Sequence, residues 1–334
     1  MNTVRKTIRF AVAAAAGALF LSSVGQAQDF KMRLAHELPL DGPLHRNLET
    51  FAADVLKATD GRVEITIHGA GTLGGDRALS EQVRLGGIEL ANLGVATQAP
   101  LSPQFSIEET PYAWDSLQQI NTAFHGKIGD ILSEKLVALG ARPLSIHPFG
   151  FRHLTNNVRP VRTPEDIKGL KLRMAEVPIR LDTFTLLGTQ PVPIAFPEVF
   201  TALQQGTVDG QENPLAIISG ARFFEVQKHL SLTGHIVNMN WLVINEPYYA
   251  SLPEDVRTAL SAEAEKIAPR LLTEIEALES TLLADLKASG MEVVEDVDKD
   301  AFRQVLAPVY DKYSKVFEPD LWAALQESST VGAQ

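Results

Sequence analysis

The sequence predicts an α/β fold with parallel strands, built as two units. Three observations carry this. Short runs of alternating apolar and polar residues take turns with segments whose apolar residues recur at helical spacing. Glycines and prolines punctuate almost every junction. The chain has 334 residues and no cysteine, so it must hold itself together by burial alone, and a chain this long usually does so as two domains. The missing cysteines also exclude disulfides, thiol nucleophiles, iron–sulfur clusters and cysteine-ligated zinc.

The first residues, MNTVRKTIRF, carry Arg5, Lys6 and Arg9 and no acid. The apolar run AVAAAAGALFL follows, then SSVGQAQ with small residues at Gly25 and Ala27. This is the pattern of a secretory signal, 1–27, cut after Ala27. Its apolar run is shorter than the ~20 residues a membrane helix needs. Removing the three basic residues of the leader from 30 leaves 27 against 41 acidic ones, a net charge of −14 for the mature chain. An acidic surface disfavours nucleic acid and anionic membranes, but a pocket within it can still be locally positive.

From Asp29 to Ala35 the apolar residues alternate, predicting a strand with one buried face that runs into the polar loop His36-Glu37. Leu44 to Lys57 has helical spacing, Asp60-Gly61 turns the chain, and Val63, Ile65 and Ile67 mark a second strand. Gly69-Ala70-Gly71-Thr72-Leu73-Gly74 is formally G-x-G-x-x-G. Dinucleotide cofactors are not expected outside the cytoplasm, and Asp76 would put a negative charge where phosphates should sit, so the run reads as a tight strand-to-helix loop. Leu79 to Leu85 is helical, Ile88 to Val95 a strand, Pro100 to Pro111 a loop, and Ser116 to Gly126 and Ile128 to Leu139 helices. Arg142 to Pro148 reads as a short strand, after which Gly150 opens the second unit.

There, Thr163 is a natural N-cap, with Pro164 at the first helical position and Asp166 at the third. Leu170, Leu172 and Met174 fall on one strand face, Lys171 and Arg173 on the other. Pro178 to Leu187 is helical and stops at Gly188. Phe196-Pro197-Glu198 starts another helix, with proline in its first turn and an acid that suits its dipole. Val208 to Pro214 gives a short strand and a polar turn, and Val237 to Asn245 a strong strand holding Asn240 and Trp241. From Pro253 to about Ser289 the chain is almost wholly helix-forming. Unbroken, that helix would span roughly 50 Å; Pro269 inside it predicts a kink. Met291 to Val294 and Phe302 to Phe317 supply a last strand and a terminal helix.

Several blocks together resemble the DctP-type solute-binding proteins of TRAP (tripartite ATP-independent periplasmic) transporters: Gly150-Phe-Arg-His-Leu-Thr-Asn, Thr163-Pro-Glu-Asp-Ile-Lys-Gly-Leu-Lys-Leu-Arg, Phe196-Pro-Glu-Val-Phe-Thr-Ala-Leu-Gln and Val208-Asp-Gly-Gln-Glu-Asn-Pro. Leu73-Gly-Gly-Asp-Arg, Phe224-Glu-Val-Gln-Lys and Leu252-Pro-Glu-Asp agree, so the resemblance runs the length of the mature chain. It implies a two-lobed periplasmic binding protein fold with hinge strands and a long helix across both lobes. On this reading lobe I is 28–149 plus 237–270 and lobe II is 150–236 plus 271–334. It also implies Arg173 as the partner of a ligand carboxylate, Arg152 and Asn213 as further ligand contacts, and Phe196 as an aromatic surface beneath the ligand.

The chemistry of the residues agrees. A guanidinium presents a planar fork to both oxygens of a carboxylate, and lobe closure strengthens the pair by removing water. By pattern alone Arg173 would also fit a solvated strand face, Arg152 a surface pair and Asn213 a turn; Phe196 and Trp241 fit either a core or a cleft wall. Where the family pattern more often has Val-Pro after the arginine, this chain has Met174-Ala175-Glu176. With Glu37 and Asp76 on loops that contact ligand in related proteins, three acids surround the anchor. The expected ligand is therefore a hydroxylated or amine-bearing monocarboxylate, such as a sugar acid or hydroxy acid, read by Glu37, Asp76, Asn240 and Trp241 in lobe I. The resemblance implies delivery to the small and large membrane subunits of a TRAP transporter, with no cofactor, metal, nucleic acid or membrane insertion. A sensor subunit for a membrane receptor would use the same chemistry. An exported enzyme is the third class, but G-x-S-x-G and H-E-x-x-H are absent, and His36-Glu37 and His45 with Glu49 read as surface residues.

Overall fold

The computed structural model describes residues 29–333; the leader assigned to 1–27 lies outside them. Ten strands form the framework: β1 Phe30–Ala35, β2 Val63–His68, β3 Leu90–Gly94, β4 Ala141–Asn156, β5 Lys171–Met174, β6 Gln190–Pro193, β7 Gly210–Pro214, β8 His229–Ser231, β9 Val237–Asn245 and β10 Glu292–Val294. They are ordered β2-β1-β3-β9-β4-β7-β5-β6, with β8 joining β4 to β10. Each lobe has a parallel set as expected, β2, β1 and β3 in one and β7, β5 and β6 in the other. Between them, β9 and β4 run antiparallel to each other and to the strands beside them.

The hinge differs from the sequence reading. The short strand ending at Pro148 and the new unit opening at Gly150 are one continuous strand, Ala141–Asn156. Its first part pairs with β9 and its end, Arg152–Asn156, with β7. Register shifts fall between Pro143 and Ser145 and between Pro148 and Gly150. Proline lacks the ladder N–H and is tolerated at such bulges, and Gly150 takes φ 123°, which suits glycine. Two residues that look like terminators therefore bend a strand that passes from lobe to lobe.

The long helical run is also divided. Glu254–Ala264 and Ile267–Ala288 are separate helices, and the break precedes Pro269 instead of falling on it. A proline ring clashes with the carbonyl four residues earlier, here that of Glu265 in the break, whereas proline in the first turn of the new helix is unstrained. The Ile267–Ala288 helix packs on the Pro43–Ala58 helix of the first lobe, on the Leu215–Gly220 helix of the second and on β4, bracing both. Glu274 accepts from Arg46 and Asn47, and Asp54 from Arg270, which fixes its contact with the first lobe.

Local signals work as the residues dictate. The Thr163 N–H donates to Asp166 Oδ2 at 2.8 Å, closing the predicted cap. The Gly69–Gly74 run is a loop of tight turns, with Ala70, Gly71 and Gly74 at positive φ. It leads into the Asp76–Arg84 helix and lies against Pro197 of the other lobe: a Cβ on Gly71 would stand 2.8 Å from Pro197 Cγ. The apolar core is continuous through both lobes. Its exceptions are informative, because buried charges are rare unless paired: Glu108, Glu109, Arg152, Arg173, Arg180 and Glu212 are all buried.

Candidate ligand-binding cleft

Those buried charges meet where the lobes face each other. The first lobe contributes Glu37 after β1, Asp76 at the start of its helix, Asn92 and Gly94 from β3, and Glu108 and Glu109 from the turn Pro103–Glu109. Asn238 and Asn240 come from β9. The second lobe contributes Arg152 on β4, Arg173 on β5, Arg180 on the Pro178–Leu186 helix, Phe196 and Asn213.

Two of the three arginines are committed to protein carboxylates. Arg152 donates to both oxygens of Glu212, to Asn238 Oδ1 at 2.7 Å and to Asn213 Oδ1 at 3.0 Å. Arg180 donates through Nε to Glu109 Oε2 at 2.7 Å, through Nη2 to Glu109 Oε1, and through Nη1 to Glu212 Oε1 at 3.1 Å. Burial alone would raise the Glu212 pKa, but Arg152 and Arg180 outweigh it and hold the carboxyl well below the usual range. Burial likewise opposes the charge on Arg180, and Glu109 and Glu212 reverse that, raising its pKa. His235 completes the network. Burial lowers its pKa, so the neutral ring donates from Nε2 to Glu212 at 3.2 Å while Nδ1 accepts from Thr233 at 2.8 Å.

Arg173 is different. It is 3% exposed, yet among the described residues it donates one hydrogen bond, from Nε to the Ile194 carbonyl at 2.8 Å. Its guanidinium carbon stands 5.9 Å from the centre of the Phe196 ring, within cation–π range. Burial, reinforced by Arg152 and Arg180 and opposed by Glu37 and Glu212, pushes its pKa down to about 10. It therefore stays charged at neutral pH with both Nη groups free of protein acceptors, as an anion-binding fork requires.

Opposite lie the acids of the first lobe. Glu37 Oε2 accepts from the Asp76 N–H at 2.9 Å, and Asp76 Oδ2 from the Gly94 N–H at 2.8 Å. Desolvation raises both pKa values, and Glu37 adds to the rise at Asp76. Glu176, the third acid expected around the anchor, is exposed and bridges Arg77 at 2.9 Å across the mouth of the cleft.

Of the residues singled out from sequence, Arg173, Arg152, Asn213, Phe196, Glu37, Asp76 and Asn240 border this one cavity. Trp241 does not. Successive strand residues point to opposite faces, so while Asn240 faces the cleft, Trp241 is fully buried on the other side of β9, edge-on to Phe105. His36 is no surface residue either. It is fully buried, its Nε2 lies 2.9 Å from His45 Nδ1, and burial with the nearby His45 lowers its pKa to about 4. The turn read as a plain loop, Pro100 to Pro111, supplies Glu108 and Glu109, and the Pro178 helix supplies Arg180; sequence reasoning named none of them. A signal existed: Arg180 sits beside Ile179 on the buried stripe with Thr183 and Phe184, and Glu108-Glu109 follows directly on the apolar Phe105 and Ile107 of its turn.

The chain has counterparts in sequence and fold. The family model described as DctP, bacterial extracellular solute-binding protein, family 7, matches residues 34–316. The 2,3-diketo-L-gulonate-binding periplasmic protein YiaO of Escherichia coli K12 is 31% identical over 301 residues, covering 90% of this chain and 91% of that one. A TRAP periplasmic solute-binding protein from Polaromonas sp. JS666, solved bound to D-erythronate, is 35% identical with a TM-score of 0.87, over 90% of this chain and 99% of that chain. The sugar acid binding protein DctPAm from Advenella mimigardefordensis, solved in complex with galactonate, is 28% identical with a TM-score of 0.86, over 90% and 98%. The chain belongs to this family: it is a TRAP periplasmic solute-binding protein, not an enzyme.

Proposed function

We propose that this protein captures a hydroxylated monocarboxylate, a sugar acid or hydroxy acid, and delivers it to the membrane subunits of a TRAP transporter. One observation carries the reading: Arg173 is the cleft arginine whose Nη groups meet no protein acceptor, while Arg152 and Arg180 are held by Glu212 and Glu109. The site thus offers one fork for one carboxylate. Glu37, Asp76 and Glu108 around the rest of the cavity offer hydrogen-bonding groups to hydroxyls, and Arg152 and Arg180, already held by Glu212 and Glu109, leave no second free fork for another carboxylate. The relatives named above are described with diketogulonate, erythronate and galactonate, which are single-carboxylate sugar acids.

On this reading the ligand docks on the Arg173 lobe, the lobes close about β4 and β9, and the membrane subunits recognise the closed form. The lobes divide as 28–149 plus 237–270 and 150–236 plus 271–334, Arg152, Arg173, Arg180, Phe196 and Asn213 falling in the second. A thermal-shift panel tests the ligand class. Sugar acids and hydroxy acids should raise the melting temperature; stabilisation by C4-dicarboxylates alone would reject the proposal.

A further inference from the structure

Two residues lining the cleft each carry a buried oxygen with no hydrogen-bond partner among the described residues: Glu108 Oε2 and Asn92 Oδ1. Their residues are 1% and 2% exposed, and a buried polar group left unpaired costs about 1–3 kcal/mol. Arg152, Arg180, Glu109, Glu212 and Asn213 bind one another, and these two orphans stand apart from that network.

The Glu108 carboxyl is held in place, and so is the backbone that carries Asn92. Glu108 Oε1 accepts from the Ala96 N–H at 2.9 Å, which fixes the carboxyl and leaves its second oxygen unused. Asn92 is set by the antiparallel register of β3 with β9, opposite Leu242. Gly94, two residues on, shares its strand face. A Cβ on Gly94 would stand 3.1 Å from Thr97 and 3.3 Å from Asp76 Oδ2, so glycine leaves that part of the wall open.

We infer that Glu108 and Asn92 form a hydroxyl-reading subsite in the first lobe, taking O–H groups on the carbon chain of a ligand whose carboxylate is held by Arg173. This rests on the reading of Arg173 as the single carboxylate anchor. The chemistry suits a neutral donor: a carboxyl oxygen and an amide oxygen both accept O–H, and a methylene would leave them unpaired. Burial, with the adjacent Glu109 carboxylate, pushes the Glu108 pKa well above the usual range. A Glu108 that keeps its proton could also donate to a hydroxyl oxygen, and a hydroxyl is able to serve in both directions.

The test is calorimetry on the mature chain with D-erythronate and D-galactonate, against 2-hydroxybutyrate as a monocarboxylate with a single hydroxyl. The wild type should prefer the better sugar acid. Asn92→Leu and Glu108→Ala should each weaken that sugar acid by about tenfold, one buried hydrogen bond's worth, and move 2-hydroxybutyrate by less than threefold. Asn92→Leu removes an orphaned amide and should keep or raise the melting temperature, which separates the effect from misfolding. If both variants keep the wild-type preference, or the wild type has none, the subsite is overturned. If no monocarboxylate binds any form while succinate does, the Arg173 reading fails and the subsite falls with it.

Discussion

Arg152 donates to both carboxylate oxygens of Glu212, and both side chains are buried, Glu212 completely. Since Arg180 binds the same carboxylate, Glu212 is the centre of a cation–anion–cation arrangement joining β4, β7 and the Pro178–Leu186 helix. Removing one member of such a buried set strands the others. Glu212→Gln should therefore cost about 3–5 kcal/mol and lower the melting temperature by roughly 5–10 °C. A differential scanning calorimetry trace unchanged by this substitution would contradict the network.

Arg173→Ala should behave in the opposite way. Its guanidinium is desolvated and crowded by Arg152 and Arg180, so losing it should leave the melting temperature of the unliganded protein unchanged or slightly raised. Affinity for the acid should fall at least ~100-fold, as expected when one side of a buried charge pair is deleted. Calorimetric titration beside a melting curve reads both. Near-normal affinity in this variant would mean that the carboxylate lies elsewhere.

The contrast between these arginines marks the limit of what the sequence discloses. Arg173 was legible because it lies in a block of recognisable residues on an alternating strand, and alternation also places its neighbours. That Arg152 is spent on Glu212 was not legible, because their pairing depends on the register of β4 with β7, where His153 faces Asn213. Arg180, Glu108 and Glu109 were missed for a related reason. Arg180 and Glu109 look like solvated residues until the fold pairs them across 71 positions, and Glu108 until the fold buries it against the Ala96 N–H. The fold class needed only periodicity and punctuation; the hinge was misread because Pro148 and Gly150 terminate most strands and here mark a bulge.

Asp76 predicts a pH dependence. Burial and the Glu37 carboxylate raise its pKa in the folded protein, with the Gly94 N–H, Thr97 and Arg173 opposing. Between the unfolded and folded values the native state holds the extra proton, so this contribution is fully present below the unfolded pKa and is lost as pH rises through the folded one. Glu37 and Glu108 act in the same sense. Glu212 acts in the other: its depressed pKa gives stability above the unfolded value that is lost as pH falls through the folded one. Asp76→Asn keeps an oxygen for the Gly94 N–H and removes the charge. In unliganded protein it should melt higher than wild type at pH 8, with the gap closing towards pH 4. Parallel melting curves across that range would exclude a raised Asp76.

Gly71 offers a test of closure that leaves every cleft residue in place. It sits at φ 69°, and a Cβ there would stand 2.8 Å from Pro197 Cγ on the facing lobe. The Gly71→Ala variant has two costs. The left-handed backbone penalty of about 1 kcal/mol is present whether the lobes are open or closed, so it lowers stability without changing affinity. The clash with Pro197 exists only when the lobes meet. Affinity should therefore fall by roughly threefold to tenfold, mainly through faster release. Pro197→Ala removes Cγ, so adding it to Gly71→Ala should restore the release rate without restoring the melting temperature. The Arg77–Glu176 bridge nearby is exposed on both sides and is worth at most about 1 kcal/mol, so it cannot mask the effect. Stopped-flow release rates for the four proteins of this double-mutant cycle give the coupling directly. A coupling of zero would place Gly71 and Pro197 out of contact in the liganded protein.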